Sequence, residues 1–263
     1  AASIKIFGLS EFSLRLPAWF ATIGIVWLTW CLANHARGAA VARWSTLVLS
    51  TMVLTYISAG AVMTDTFLVF GTTLSLVSVW FVLSGRSDYW RWWFFMGLAI
   101  GLLSKGPLAV VLTVIPLVLW AAIFRQRLQP LKKLPWLLGS LLTLAIAVPW
   151  YVLAELKTPG FLNYFIIGEH FSRFLDPGWA GDLYGSAHDR PKGMIWIFWL
   201  WASFPWGIIG LVGFGLAAAR GKTKDIFTGA VQDASTLYLL FCAITPMLFF
   251  TLAGNTLWTY ILP

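Results

Sequence analysis

Charge is scarce in this sequence. Only 11% of its 263 residues are Asp, Glu, Lys or Arg, where a soluble domain carries about 25%, so the chain lacks the polar surface that would keep it dispersed in water. Cysteine is scarcer still. Cys31 and Cys242 both lie inside apolar runs, which argues against a disulfide framework and leaves the redox compartment open. Several catalytic signatures are missing altogether: a P-loop, a GxGxxG after a strand, HExxH and GxSxG. Nothing therefore points to ATP hydrolysis or to a soluble catalytic domain. There is no internal repeat and no low-complexity segment. Residues 1–15 also lack the basic start, apolar core and small-residue cleavage site of a signal peptide. The opening AASIKIFGLSEFSLRLPA reads as a loop entering a helix, and TLWTYILP stops as another apolar segment begins. Both ends are expected to belong to a longer chain.

What the sequence does have is apolar length. Hydrophobic residues make up 59% and aromatics 17%, with 17 Trp and 20 Phe, and the mean hydropathy is +0.81. The aromatics suit two interfacial belts and a packed interior. Runs of near-spanning length fall near 16–34, 44–63, 66–84, 91–105, 107–124, 136–154, 194–218 and 236–253, a crossing needing about 20 residues. The expected fold is all-α, a polytopic bundle of about eight transmembrane helices. Ser104-Lys105-Gly106-Pro107 separates the fourth run from the fifth. A single kinked helix over both would overshoot a bilayer, so a tight turn at one face is expected, with Pro107 opening the next helix.

The charges divide by side. One set of loops holds Arg37, Arg43, Arg86, Arg91, Arg125, Arg127, Lys132, Lys133, Arg220, Lys222 and Lys224 against Asp88, Asp225 and Asp233, that is 11 − 3 = +8. The other holds seven basic and seven acidic residues, net zero. The whole excess of +8 thus sits on one face, expected to be cytoplasmic, and reflects topology rather than a nucleic-acid partner. The other, external face carries the longest loop, about residues 155–193. Loops of that length in a compact protein are usually functional. Within it, Phe161 to Leu175 reads as an amphipathic helix lying in the interface, with Glu169, His170 and Arg173 on its polar side.

Few residues could carry chemistry. Asp65, between two apolar runs at the outer interface, is either a helix N-cap or a carboxylate facing an external cavity as base or metal ligand. Lys105 either snorkels to the interface or presents a fixed positive charge to a phosphate. His170 and Arg173, three apart on one helical face, either touch headgroups or form a phosphate or metal site; with Glu169 alone beside the histidine, the donors are few for a metal. His188, Arg190 and Lys192 before the Trp-rich run read as an interface anchor, and His35 as a solvated loop residue.

With these residues in hand, the chain resembles the C-type, lipid-phosphate-dependent integral-membrane glycosyltransferases. It is most similar to the bacterial branch containing the aminoarabinose transferases that modify lipid A, with the protein O-mannosyltransferases as more distant relatives. The matching stretches, in family order, are FGLSEFSLRLPA (7–18), MTD (63–65), LLSKGPLAVVL (102–112), AVPWY (147–151), EHFSRF (169–174), FPW (204–206) and TYILP (259–263). Each is weak alone; together they span nearly the whole chain.

The resemblance implies a sugar donor on a polyprenyl phosphate, and a lipid, glycan or protein as acceptor. It further implies an inverting displacement at the external face of the cell (inner) membrane, with the lipid phosphate as leaving group. Asp65 matches the second of the family's two acidic sites. Lys105, Arg173 and Tyr260 match positions near the donor phosphate, and His170 falls at the family's histidine, with Glu169 beside it. A divalent metal ion stays open as a cofactor. Residues 1–263 then form part of a transmembrane glycosyltransferase domain, with 155–193 as its external loop. Its first helix, first external loop (with the first Asp and a Lys-Pro-Pro element) and a downstream part are expected outside this stretch. One departure stands: relatives carry a lysine-containing run before the final ILP, where this chain has Leu252-Ala-Gly-Asn-Thr-Leu-Trp-Thr-Tyr260. Donor contacts are expected to differ there.

Two rivals make different demands. A transporter or flippase of a lipid-linked intermediate would place ionisable groups at mid-bilayer and broken helices in repeated halves. A scaffold of an envelope complex would leave Asp65, Lys105, His170 and Arg173 unclustered.

Overall fold

The computed structural model describes residues 2–86, 88–176, 179, 181 and 190–262; His188 lies outside them. The described residues form helices and connecting turns with no sheet. In chain order these are α1 (Ala2–Phe7), α2 (Glu11–Arg37), α3 (Ala39–Thr51), α4 (Val53–Gly60), α5 (Asp65–Leu83), α6 (Trp90–Lys105), α7 (Leu108–Ile123) and α8 (Trp136–Lys157). A π-wound segment (Asn163–Ser172) follows, then α9 (Arg173–Leu175), α10 (Met194–Ala202), α11 (Trp206–Ala219), α12 (Thr223–Gln232) and α13 (Ala234–Thr251). Among them α2, α5, α8 and α13 are each long and apolar enough to cross a bilayer, and three bent pairs raise the number to as many as seven.

The helix α5 is the hub, and its sequence says why. Small and hydroxylated residues (Gly71, Thr72, Ser75, Ser78) interrupt an apolar helix that is buried on nearly all sides. In lipid, helices associate through close backbone approach and interhelical hydrogen bonds rather than hydrophobic burial. Both occur against α6. Ser75 Oγ donates to the Phe94 carbonyl at 2.9 Å. A Cβ at Gly71 would stand 2.6 Å from the Gly97 carbonyl, and one at Gly97 would stand 2.5 Å from the Gly71 carbonyl. The motif behind this is Gly97-x-x-x-Gly101, a small-residue stripe on α6. On the other side of α6, Thr143 of α8 donates to the Phe95 carbonyl at 2.9 Å, and a Cβ at Gly139 would strike the Phe95 ring.

Two expected spans are not straight. The run 44–63 breaks at Met52, with α3 and α4 bent by 64°, and the run 194–218 breaks around Ser203–Pro205, with α10 and α11 bent by 107°. Breaking a helix at membrane depth frees backbone groups that lipid cannot satisfy. The two breaks satisfy each other: the Val53 N–H donates to the Phe204 carbonyl at 3.2 Å, and Trp206 Nε1 donates to Thr51 Oγ1 at 2.7 Å. Hydropathy registers apolar length and not direction, so it reads both as single crossings.

At Lys105 the chain turns as its residues predict. The helix α6 ends there, Gly106 takes φ +57° and ψ −143°, and α7 starts after Pro107. At the opposite end of the bundle, Arg37 of α2 pairs with Asp233, the N-cap of α13. The sequence expectation of a regular amphipathic helix over 161–175 is altered in one respect: its middle is wound as a π-helix, a form that recurs at functional sites.

Candidate functional site

Asp65 opens α5 and Lys105 closes α6, so the closest helix pair in the fold brings the two side chains to one end. Lys105 Nζ lies 3.4 Å from Asp65 Oδ2, with 29% and 12% of the two side chains exposed. The N-cap position of α5 belongs to Thr64, so the Asp65 carboxylate serves the lysine rather than capping the helix. Tyr151, from AVPWY in α8, secures this end by donating to the Leu102 carbonyl at 2.6 Å.

The π-wound segment docks onto the same turn. Glu155, at the end of α8, starts it: its carboxylate accepts the N–H groups of Gly160 and Leu162 at 2.9 and 2.8 Å. His170 Nδ1 lies 2.6 Å from the Phe165 carbonyl and Nε2 lies 2.8 Å from the Lys105 carbonyl. Carbonyl oxygens only accept, so both contacts are hydrogen bonds together when both ring nitrogens carry protons. Gly106 permits the approach. A Cβ there would fall 2.7 Å from the Phe165 ring and 3.1 Å from His170 Cε1, and its positive φ favours glycine in any case.

Glu169 and Arg173 form the next layer. Arg173 Nη1 donates to Glu169 Oε2 at 2.8 Å, and the Tyr164 hydroxyl donates to Glu169 Oε1. Arg173 is buried, where a charge needs a partner. Its backbone is held from the C-terminal side: Asn255 Nδ2 donates to the Arg173 carbonyl at 3.0 Å and the Gly254 N–H to the Phe174 carbonyl at 2.8 Å. Tyr260 stacks on Phe250 with ring centroids 4.6 Å apart, in a cluster that also includes Phe174.

The structure thus gathers Asp65, Lys105, His170, Glu169 and Arg173 along one continuous set of contacts, with Tyr260 beside its far end. Glu169 and His170, expected as possible substrate or metal contacts, are engaged with protein groups in this arrangement. Both ring nitrogens and both carboxylate oxygens already have partners. Among the described residues no group of three or more His, Cys, Asp and Glu converges. Sequence reasoning missed Tyr164, Tyr151 and Asn255 as supports. Tyr151 stood within a matched motif; Asn255 stood in the stretch noted only for lacking a lysine.

Comparison with known proteins agrees with this fold. Residues 1–152 match the family described as dolichyl-phosphate-mannose-protein mannosyltransferase. Undecaprenyl phosphate-alpha-4-amino-4-deoxy-L-arabinose arabinosyl transferase 1 of Pseudomonas fluorescens is 29% identical over 98% of this chain and 43% of its own length. The corresponding transferase of Erwinia tasmaniensis is 27% identical over 98% of this chain and 44% of its own. The chain therefore spans less than half the length of these relatives. Among solved structures, ArnT from Cupriavidus metallidurans bound to undecaprenyl phosphate superposes with a TM-score of 0.80 at 20% identity, covering all of this chain and 45% of that one. The apo form gives 0.78. The chain belongs to the dolichyl-phosphate-mannose-protein mannosyltransferase family of integral-membrane proteins.

Proposed function

We propose that this chain is the donor-handling part of a glycosyltransferase that moves a sugar from a polyprenyl-phosphate carrier to a lipid, glycan or protein acceptor at the external face of the cell membrane. The observation that carries the reading is the Asp65–Lys105 pair at a membrane-level turn, with Arg173 and His170 docked beside it. In the displacement, an acceptor hydroxyl or amine attacks the anomeric carbon from the face opposite the phosphate. The bond to the phosphate oxygen breaks, and the electron pair leaves with the polyprenyl phosphate, so the configuration inverts. Lys105 and Arg173 hold positive charge where the leaving phosphate gains negative charge. The acceptor proton needs a carboxylate, and Asp65, the acid beside Lys105, is the one we assign to it. Tyr260 lies where it could support the donor from the C-terminal side. An apolar groove of about 480 Å3 along α2 and the α3–α4 pair, lined by Trp19, Ile23, Trp27, Tyr56 and Ala59 among others, ends close to α5: Thr66 Oγ1 donates to the Ser58 carbonyl at 3.3 Å. It offers a lipid tail a lateral path to this end of the bundle.

The test follows release of polyprenyl phosphate from a panel of sugar-linked lipid donors by the whole protein in native-lipid vesicles. Lys105→Ala and Asp65→Asn are each expected to lower release at least about tenfold. Release unaffected by both removes them from the site. No release from any donor, with lipid moved between leaflets instead, replaces the transferase with a flippase.

A further inference from the structure

The far end of the α5–α6 pair holds a second pocket. The helix α5 has 19 residues, so at about 1.5 Å per residue this pocket lies roughly 28 Å from Asp65. Its volume is about 40 Å3, lined by Val82, Gly85, Arg86, Asp88, Arg91 and Lys133. One water needs about 10–15 Å3 on this scale, so there is room for about three water-sized atoms: the oxygens of one phosphate, not a sugar or a nucleotide.

The local sequence builds it. Gly85 takes φ +70°, its N–H donates to the Val82 carbonyl at 3.1 Å, and the Arg86 N–H donates to the Phe81 carbonyl at 2.9 Å. That pair of bonds is the glycine-terminated end of a helix, in which the residue after the glycine folds back over the last turn. Here that residue is Arg86, and its guanidinium lies 4.6 Å above the centre of the Phe81 ring. Arg91 is committed elsewhere. Its Nη2 meets Asp88 Oδ2 at 2.5 Å, Nε donates to the Asp88 carbonyl at 3.1 Å, and Nη1 donates to the Lys133 carbonyl at 3.2 Å. Asp88, the acid in the lining, is thereby taken up by Arg91. Among the described residues, neither Arg86 nor Lys133 has a carboxylate within ion-pair distance. Three basic groups against one acid leave the pocket at +2.

Its depth is marked independently. Tyr89, Trp92, Trp93 and Trp136 stand exposed around the helix ends, and Trp and Tyr gather at the headgroup level. The segment Arg125–Lys133 turns 112° away from α7 and brings Arg125, Arg127 and Lys132 to the same end. Basic pockets between helix ends at this depth suit lipid phosphates.

We propose that this pocket binds the phosphate of an anionic phospholipid, held between Arg86 and Lys133, and so fastens the 125–133 segment to the α5–α6 turn. It does not depend on the transferase reading, and its test reads binding rather than transfer. The whole protein is reconstituted in phosphatidylcholine vesicles with and without phosphatidylglycerol, extracted gently, and weighed with its retained lipids by native mass spectrometry. Wild type is expected to keep one phosphatidylglycerol. Arg86→Gln with Lys133→Gln is expected to keep at least about tenfold less, while Arg125→Gln with Arg127→Gln, which removes the same charge outside the pocket, keeps it. Equal loss in both variants would reduce the site to diffuse attraction, and equal retention of phosphatidylcholine would remove its preference for an anion. Inorganic phosphate in pure phosphatidylcholine vesicles is the last arm: if it raises Tm of the wild type as much as phosphatidylglycerol does, the occupant is a free anion and the lipid assignment fails. Should the double variant not fold, Lys133→Gln alone carries the same expectation of reduced retention.

Discussion

A carboxylate and an ammonium at 3.4 Å, one mostly buried and one about a third exposed, stand between two regimes. Exposed pairs contribute about 0–1 kcal/mol, whereas stripping one partner from a buried pair costs about 3–5 kcal/mol because a lone charge stays behind. For this pair a single loss is expected to cost about 1–3 kcal/mol. Lys105→Met and Asp65→Asn should each lower Tm, and the double variant should cost little more than the worse single, a coupling that a double-mutant cycle measures. Donor release gives the contrasting readout. A lysine that only balances Asp65 would make Lys105→Met lower release no further than its loss of folded protein accounts for. A lysine that meets the donor phosphate lowers release at least about tenfold in the Lys105→Met protein that stays folded, which is the expected outcome. Of this pairing the sequence reveals half. Two ionisable residues at the ends of apolar runs mark themselves as unusual, but that α5 and α6 would bring them together is a property of helix packing. Glu169 is the converse case. Its position next to His170 suggests a ligand pair, whereas a helical turn also sets it against Arg173 four residues on, and that contact is the one formed.

At the scale of elements, the geometry of the site depends on how closely α5 and α6 approach. A Cβ at Gly97 would meet Ser75 Oγ at 2.3 Å and also two backbone atoms, the Gly71 carbonyl at 2.5 Å and the Ser75 nitrogen at 2.8 Å, and the backbone atoms cannot rotate out of the way as a side chain would. Gly97→Ala is therefore expected to push the helices apart, with an overpacking cost of about 1–3 kcal/mol. Because Asp65 and Lys105 ride on these helices, donor release should fall with Tm, although neither residue has changed. Measured side by side in vesicles, Gly210→Ala on α11, where an added Cβ meets nothing, should leave both unchanged. A drop at Gly97 no larger than at Gly210 would show that the approach is not tight. The apolar, all-helical character was legible because length and hydropathy suffice for it, though where eight runs were read the described helices give four spans, or up to seven with the bent pairs; the turn at Gly106-Pro107 was legible because those residues punctuate a helix. The breaks near Met52 and Pro205 were not, since each is made tolerable by the other's freed backbone group, a partnership across about 150 residues. The π-winding of 163–172 escaped for a related reason: it is fixed by docking through His170 and Glu155, not by local composition.

For the whole molecule, function turns on which end faces outward. Asp65, Lys105 and Glu169 collect at one end, and Arg37, Arg86, Arg91 and Lys133 at the other, the end that carries the +8 excess. Basic loops stay cytoplasmic, so the candidate site should face outward. That orientation separates enzymes that use a carrier lipid already delivered to the external leaflet from those fed directly by cytosolic synthesis. With Cys31 and Cys242 replaced by Ala, single cysteines at Lys157 and Lys132, both exposed, report the two ends. In intact cells a membrane-impermeant maleimide is expected to label Lys157→Cys and to reach Lys132→Cys only after permeabilisation. The reverse pattern would turn the Asp65–Lys105 end to the cytosol. The donor would then have to be drawn from the inner leaflet, and the charge asymmetry would have lost its meaning as a topology signal. The expected pattern fixes the leaflet from which the lipid-borne donor enters and puts the basic pocket at Arg86 and Lys133 in the leaflet where anionic headgroups are most abundant.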